Sequence, residues 1–112
     1  MVTIQSLSWL IFMARLGKKF FREKTERVAR QLLGKVLTRK IEQKIISGII
    51  VETEVYAGPH DLASHASKGK TNRTSVMFSE AGVWYVYLVY GFYYVLNIVT
   101  EEKDYPSAVL IR

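Results

Sequence analysis

The stretch Val83–Val99 limits the possible folds of this chain more than any other. It runs for 17 residues without a charge and holds five tyrosines, one asparagine and one glycine among valines and other apolar types. β-branched and aromatic side chains fit strands better than helices, and 17 residues far exceed a typical strand of about five or six. Gly91 is the only turn former inside the run. The pattern predicts two antiparallel strands folded back at a tight hairpin near Tyr90-Gly91. A membrane-spanning helix would need about 20 apolar residues of helical type, which neither this run nor the eight-residue run Leu7–Ala14 supplies. Leu7–Ala14 also lacks the basic flank and cleavage site of a signal peptide, so the chain reads as not secreted. Because Val83–Val99 is apolar on both faces, its sheet needs cover on both sides.

The remaining chain supplies a modest set of further elements. Thr25 reads as a helix N-cap with Glu26 in the first turn and Gly34 as the stop. The helix between them places Val28, Leu32 and Leu33 on one face. Lys35–Ile41 reads as a strand, Glu42-Gln43-Lys44 as a connection, and Ile45–Tyr56 as a second strand broken by Gly58-Pro59. Asp61 is placed to cap a short helix through Ser67, Lys68–Arg73 is a basic loop, Glu80-Ala81-Gly82 is a turn, and Val109–Arg112 begins another strand. No internal repeat, low-complexity tract or linker divides the 112 residues, which is the size of one domain. The expected class is α+β, a single compact domain around a mostly antiparallel sheet.

Composition removes several chemistries. The chain has no cysteine, which excludes a disulfide scaffold, a thiolate metal site and a cysteine nucleophile. His60 and His65 are five residues apart, not the helical i, i+4 spacing of a zinc pair, so no metal site is expected. Sixteen basic and ten acidic residues give a formal charge of +6. Residues 1–50 carry eleven Lys/Arg against three Asp/Glu, so the excess sits in the N-terminal half, as a phosphate-facing surface or an ordinary solvated face.

The segment Ile49–Tyr56 carries the clearest chemical signal. Alternation along one strand puts Ile49, Val51, Thr53 and Val55 on one face and Ile50, Glu52, Glu54 and Tyr56 on the other. Two carboxylates two residues apart lie about 6.5–7 Å from each other, close enough to favour protonating one of them. That suits acid–base work at a glycosidic bond, although a solvent-facing strand edge is the more ordinary account of the spacing alone. Lys68, Lys70 and Arg73 place three cations around a glycine, either to grip phosphates or as a solvated loop; the spacing is not that of a P-loop. Tyr85 and Tyr87 share a strand face. Tyr90, beside the turn glycine, projects outward, where an aromatic ring can wedge between base pairs.

Taken together, these segments resemble one family. Arg15-Leu16-Gly17 with Phe20-Phe21, Leu33-Gly34-Lys35-Val36-Leu37, the run Val51-Glu52-Thr53-Glu54-Val55-Tyr56-Ala57-Gly58-Pro59-His60-Asp61, Ser64-His65, Met77-Phe78, and Tyr85-Val86-Tyr87-Leu88-Val89-Tyr90-Gly91 with Asn97 resemble the alkyladenine (3-methyladenine) DNA glycosylases from about Arg15 to Arg112. The resemblance implies a compact domain around a curved antiparallel sheet, similar to the C-terminal domain of formyltransferases, with a protruding hairpin that enters the DNA minor groove. It implies base-excision repair of double-stranded DNA containing damaged purines: 3-methyladenine, 7-methylguanine or hypoxanthine is flipped out and its N-glycosidic bond hydrolysed, without metal, cofactor, covalent lysine intermediate or obligate protein partner. Under it, Glu54 is the general base and Arg112 helps hold the water. Tyr56, His65 and Tyr87 hold the flipped base, Asn97 lies on the pocket floor, and Tyr90 at the Gly91 turn is the wedge. Glu52 is a supporting residue. The implied location is the cytoplasm or nucleoid of a bacterium, or a eukaryotic nucleus.

Two departures accompany the resemblance. Residues 1–14 form an N-terminal extension, with family-like sequence beginning near Met13. The family's domain continues beyond Arg112, so the chain is expected to be a C-terminally truncated member with little material to cover both sheet faces, an exposed apolar patch, and weak activity or self-association. A sugar-active glycosidase using Glu52 and Glu54, and a non-catalytic DNA-binding module, are the competing readings.

Overall fold

A computed structural model describes residues 2–5, 15–61 and 63–112. Seven strands form two antiparallel sheets. The smaller sheet has β1 (Val2–Gln5), β2 (Val36–Ile41) and β3 (Lys44–Ile49) in that order. The larger has β4 (Thr53–Ala57), β7 (Ser107–Ile111), β6 (Tyr93–Val99) and β5 (Trp84–Val89). Two helices, α1 (Lys18–Phe21) and α2 (Thr25–Leu32), and two 3₁₀ segments, His65–Lys68 and Ser75–Phe78, complete the described elements. The α+β class and the mostly antiparallel sheet read from the sequence are what the chain adopts. The run Val83–Val99 does divide into two paired strands, with Val89 opposite Tyr93 and the loop 90–92 between them.

Register determines which side chains share a face of the larger sheet. Directly opposite pairs lie on the same side, and the pairs Glu54↔Leu110, Asn97↔Leu110 and Tyr85↔Asn97 link all four strands into one face. Tyr56, Tyr85 and Tyr87 point to that side, where Ala66 and Met77 of the 3₁₀ segments pack over them with Val99 and Ala108. The opposite face carries Val55, Trp84, Ile98, Val109 and Ile111 under Val28, Ala29 and Leu32 of α2, with Ile4 and Phe21 alongside. β7 is buried along its whole length, as expected of a central strand flanked on both edges and covered on both faces.

The cover is two-sided over β4 and β7, but on the face opposite the pocket the outer hairpin strands are left uncovered, as the expectation of too little covering material has it. Helix α2 covers β4 and β7 on one face and the 3₁₀ segments cover the other, and the loops of those segments are tied by short-range hydroxyl bonds such as Thr71–Thr74. The exposed apolar side chains are Val86, Leu88 and Tyr94 of the hairpin, on the same face as Ile98 and Ile111, and Ile45, Ile46 and Ile49 on the edge strand β3.

Four local readings are corrected. Ile45–Tyr56 is not one strand: the chain leaves the smaller sheet after Ile49 and enters the larger at Thr53. Between them Ile50 turns into the core, its backbone bonded to Lys35 and Gly34, while Val51 is exposed. Ile50 therefore does not share the face of Glu52, Glu54 and Tyr56. Thr25 is the first helical residue, not the cap; Lys24 occupies the cap position without a side-chain bond. The Thr25 hydroxyl is buried against Thr100, and its backbone N–H donates to the Glu101 carboxylate at 3.1 Å, so a distant residue supplies the cap. Leu33 lies past the end of α2 and is exposed, leaving Val28 and Leu32 as the buried stripe. Asp61 does not cap the segment through Ser67. Its carboxylate accepts from the N–H groups of Ala57 and Ala63, both at 3.0 Å, and Ser64 caps the His65–Lys68 turn through Ala66 N–H.

Candidate active site

The site lies on the sheet face beneath the 3₁₀ segments. Tyr56 comes from β4, Tyr85 and Tyr87 from β5, and Asn97 from β6. His65 is brought over them by the turn that follows Gly58-Pro59. Glycine is required in that turn: Gly58 has φ +84°, and a Cβ there would overlap the Tyr105 hydroxyl. These residues, with Met77, Ser64 and Ala63, line a pocket of about 40 Å³. The His65 ring meets the Tyr87 ring edge-on at 4.6 Å, and Tyr85 packs against Tyr87 at 5.0 Å. Asn97 is buried, donates to the Tyr85 carbonyl at 3.3 Å and contacts the Tyr87 phenol.

Glu54 and Arg112 stand at the edge of this pocket. The Arg112 Nη1 lies 3.1 Å from Glu54 Oε1 and 3.4 Å from Glu52 Oε1. Tyr56 donates its hydroxyl to Glu54 Oε2 at 3.4 Å. The two glutamates therefore do not stand as isolated like charges, as the strand spacing alone had them; a guanidinium sits between them and holds both. The bond to Glu54 in turn raises the Arg112 pKa further, so the cation is permanent in the working range.

Burial pushes the Tyr56 phenol up to about 12, reinforced by the neighbouring Tyr87 and Glu54. Tyr85 and Tyr87 are raised for the same leading reason. The site's phenols thus remain hydrogen-bond donors through neutral pH. For a group whose native pKa lies above its unfolded value of about 10, the unfolded chain loses its proton first, so stability is intact below pH 10 and falls as pH rises towards 12. Tyrosinate absorbance is the measurement: the difference between the native chain and Tyr56→Phe should titrate near 12. A difference midpoint at the ordinary tyrosine value would contradict the buried phenol.

The residues expected from the sequence to contact DNA lie on the hairpin and on the loop of the 3₁₀ segments. β6 pairs with β7 only from Leu96 to Val99, so the hairpin beyond those pairs projects from the sheet. At its tip Tyr90 is 87% exposed and, like Gly91, has positive φ (+52° and +76°), the left-handed pair of a tight hairpin turn. Phe92 and Tyr93 follow it, their rings in contact at a 49° tilt with centroids 4.3 Å apart. The loop cations lie on the pocket side: Arg73 donates to the Leu88 carbonyl at 3.3 Å, Lys70 lies 5.7 Å from the Phe78 ring centroid, and Lys68 ends the first 3₁₀ segment, exposed. Arg27 and Arg30 of the basic N-terminal half are on α2, which covers the opposite sheet face, so they do not share this surface. His60 is exposed, and among the described residues no group of three His, Asp or Glu is assembled to hold a metal ion. Sequence reasoning assigned no role to Met77 or Tyr85 in the pocket; the shared strand face of Tyr85 and Tyr87 was the available signal.

The site is a small ring-lined pocket with a carboxylate–guanidinium pair at its rim and a projecting aromatic hairpin on the same sheet. Residues 19–112 match the family model of the methylpurine-DNA glycosylases, and the chain belongs to that family. Over 102 residues it is 54% identical to a protein of Legionella pneumophila (strain Lens) named "Putative 3-methyladenine DNA glycosylase", covering 89% of this chain and 55% of the relative. Proteins of the same name from Clostridium perfringens (strain 13 / Type A) and Methanocella arvoryzae are 52% and 53% identical over 99 and 97 residues, covering 88% and 87% of this chain. The chain spans about half the length of the curated relatives it matches, 48% of each of these last two.

Proposed function

We propose that this chain carries the base pocket and catalytic carboxylate of a DNA glycosylase that excises alkylated or deaminated purines, such as 3-methyladenine, 7-methylguanine or hypoxanthine, in base-excision repair. The observation that carries the reading is the Glu54 carboxylate fixed between Arg112 and Tyr56 at the mouth of the Tyr56–His65–Tyr87 pocket. Glu54 orients a water and takes its proton as the oxygen bonds to C1′ of the sugar. The C1′–N bond breaks, its electron pair leaves with the base, and an abasic site remains. Arg112 orients the water and balances the charge of Glu54.

A damaged base must leave the stack to reach this carboxylate. The pocket's roughly 40 Å³ takes a few waters, not a purine, so base binding parts the side chains at its mouth, His65 among them. Tyr87 and Tyr56 then offer stacking faces, and Asn97, buried and held by Tyr85, disfavours a base whose exocyclic group clashes with it. Lys68, Lys70 and Arg73 contact phosphates, while Tyr90 and Gly91 form the tip that fills the vacated stack.

The deciding experiment incubates the protein with a duplex containing hypoxanthine and assays alkali-labile abasic sites. Their appearance with the lesion duplex and not with undamaged DNA is the expected result; binding without any abasic site would reduce the chain to a DNA-binding module. Tyr90→Ala should weaken binding to lesion duplex by roughly 1–3 kcal/mol, the worth of one lost stacking contact. Single-stranded lesion DNA, which needs no wedge, should be affected less. Equal losses on both substrates would count against the wedge.

A further inference from the structure

Glu52 and Arg112 are joined twice. Arg112 N–H donates to the Glu52 carbonyl at 2.9 Å and Glu52 N–H donates to the Arg112 carbonyl at 3.3 Å. This makes them the next directly opposed pair beyond Thr53↔Ile111, with side chains on the pocket face. Glu54, two residues along β4, is diagonal to Arg112. One guanidinium nitrogen, Nη1, reaches both carboxylates, at 3.1 Å to Glu54 and 3.4 Å to Glu52.

From this juxtaposition we propose that Glu52 is the positioning residue of the site: its carboxylate anchors the Arg112 side chain so that the guanidinium faces Glu54 in one orientation. The inference rests on the catalytic reading of Glu54 above. The side chains of Arg112, Glu52 and Glu54 are 47%, 58% and 41% exposed. At such exposure a single ion pair holds a long arginine weakly, because solvent screens the attraction and many rotamers compete. A second carboxylate, fixed by paired backbone bonds directly across from the arginine, selects among those rotamers. It also shares the positive charge, so Arg112 orients Glu54 without neutralising it one to one. Without Glu52 the guanidinium is free to swing onto both oxygens of Glu54, where it competes with the water that Glu54 must accept.

The test compares the protein with Glu52→Gln, which removes the charge and keeps the shape, and with Glu52→Asp, which keeps the charge on a shorter arm. Two readouts are taken: the NMR order parameter of the Arg112 Nε–H bond, and kcat and KM for excision from a hypoxanthine duplex. In Glu52→Gln the Arg112 order parameter should fall below about 0.6, the flexible range. Its kcat should fall about three- to tenfold with KM unchanged, the span expected of an exposed charge coupling felt in the transition state. Glu52→Asp should lie between the two in both readouts. An unchanged order parameter in Glu52→Gln, or a loss of kcat matched by a lowered melting temperature, would overturn the positioning role. An unmodified protein that forms no abasic sites would defeat the catalytic reading of Glu54 instead, and the Arg112 order parameter would still decide whether Glu52 holds the guanidinium.

Discussion

Replacing Glu54 by Gln should cut the rate of abasic-site formation by about 10²–10⁴-fold, the usual cost of removing a general base. In activation free energy that is roughly 3–5 kcal/mol. Gln keeps the length of the side chain and can still accept the Tyr56 hydroxyl, which lies 3.4 Å from Glu54 Oε2 in the native site. It cannot take a proton from water at neutral pH. Because Glu54 stands at the edge of the pocket and does not line it, the rings that would stack on a flipped base are unchanged, and affinity for lesion duplex should stay within a few-fold of the native value. Single-turnover excision measured beside equilibrium binding separates the two effects. Near-normal turnover by Glu54→Gln would remove Glu54 from the mechanism and move the base to Glu52, the only other carboxylate on Arg112 among the described residues.

What the sequence reveals and what it hides follow the range of the interactions involved. The hairpin was legible because its cause is local: strand-forming types on both sides of the single glycine at position 91. The pairing of Glu54 with Tyr56 was legible because a strand repeats every two residues. The break at Ile50 was not, since the residues that change partners, Ile49, Ile50 and Val51, are all strand-forming types and the nearby Gly48 lies within β3. The chain stays extended there and merely changes partners, and what holds Ile50 is the backbone of Gly34 and Lys35. The helix cap was misassigned for a similar reason, because its acceptor, Glu101, is 76 residues from Thr25. The pocket is intermediate. Tyr56, His65, Tyr87 and Asn97 were named through the family resemblance; the sheet register brings Tyr56, Tyr87 and Asn97 to one face, and the 3₁₀ segment carries His65 over them. The two contacts of Arg112 could not be read from spacing at all, because β7 must first insert between β4 and β6 to bring that side chain beside Glu52 and Glu54.

The same two-faced sheet leads to an expectation for stability. Among the described residues Leu32 is the largest side chain with no exposed surface, and it packs from α2 onto the sheet face opposite the pocket, among Val28, Ile98, Val109 and Ile111. Leu32→Ala removes that apolar surface and leaves a cavity that a helix anchored at both ends cannot collapse around. The N-terminal anchor is the Glu101 carboxylate on Thr25 N–H, and the C-terminal one is Gly34 N–H on the Ile50 carbonyl. Such substitutions cost about 2–5 kcal/mol, a large share of the roughly 5–15 kcal/mol that a domain of this size has in total. Urea unfolding followed by tryptophan fluorescence should therefore show a much lower midpoint with an unchanged slope. Because the lesion sits behind the sheet, DNA binding per folded molecule should be preserved under conditions where the variant is still folded. A loss below about 1 kcal/mol would mean that α2 is not packed firmly on β4 and β7, since only a collapsible site is so lightly affected. A loss of DNA affinity matching the loss of stability would mean that the two faces are not mechanically independent, and that the pocket depends on the packing beneath it.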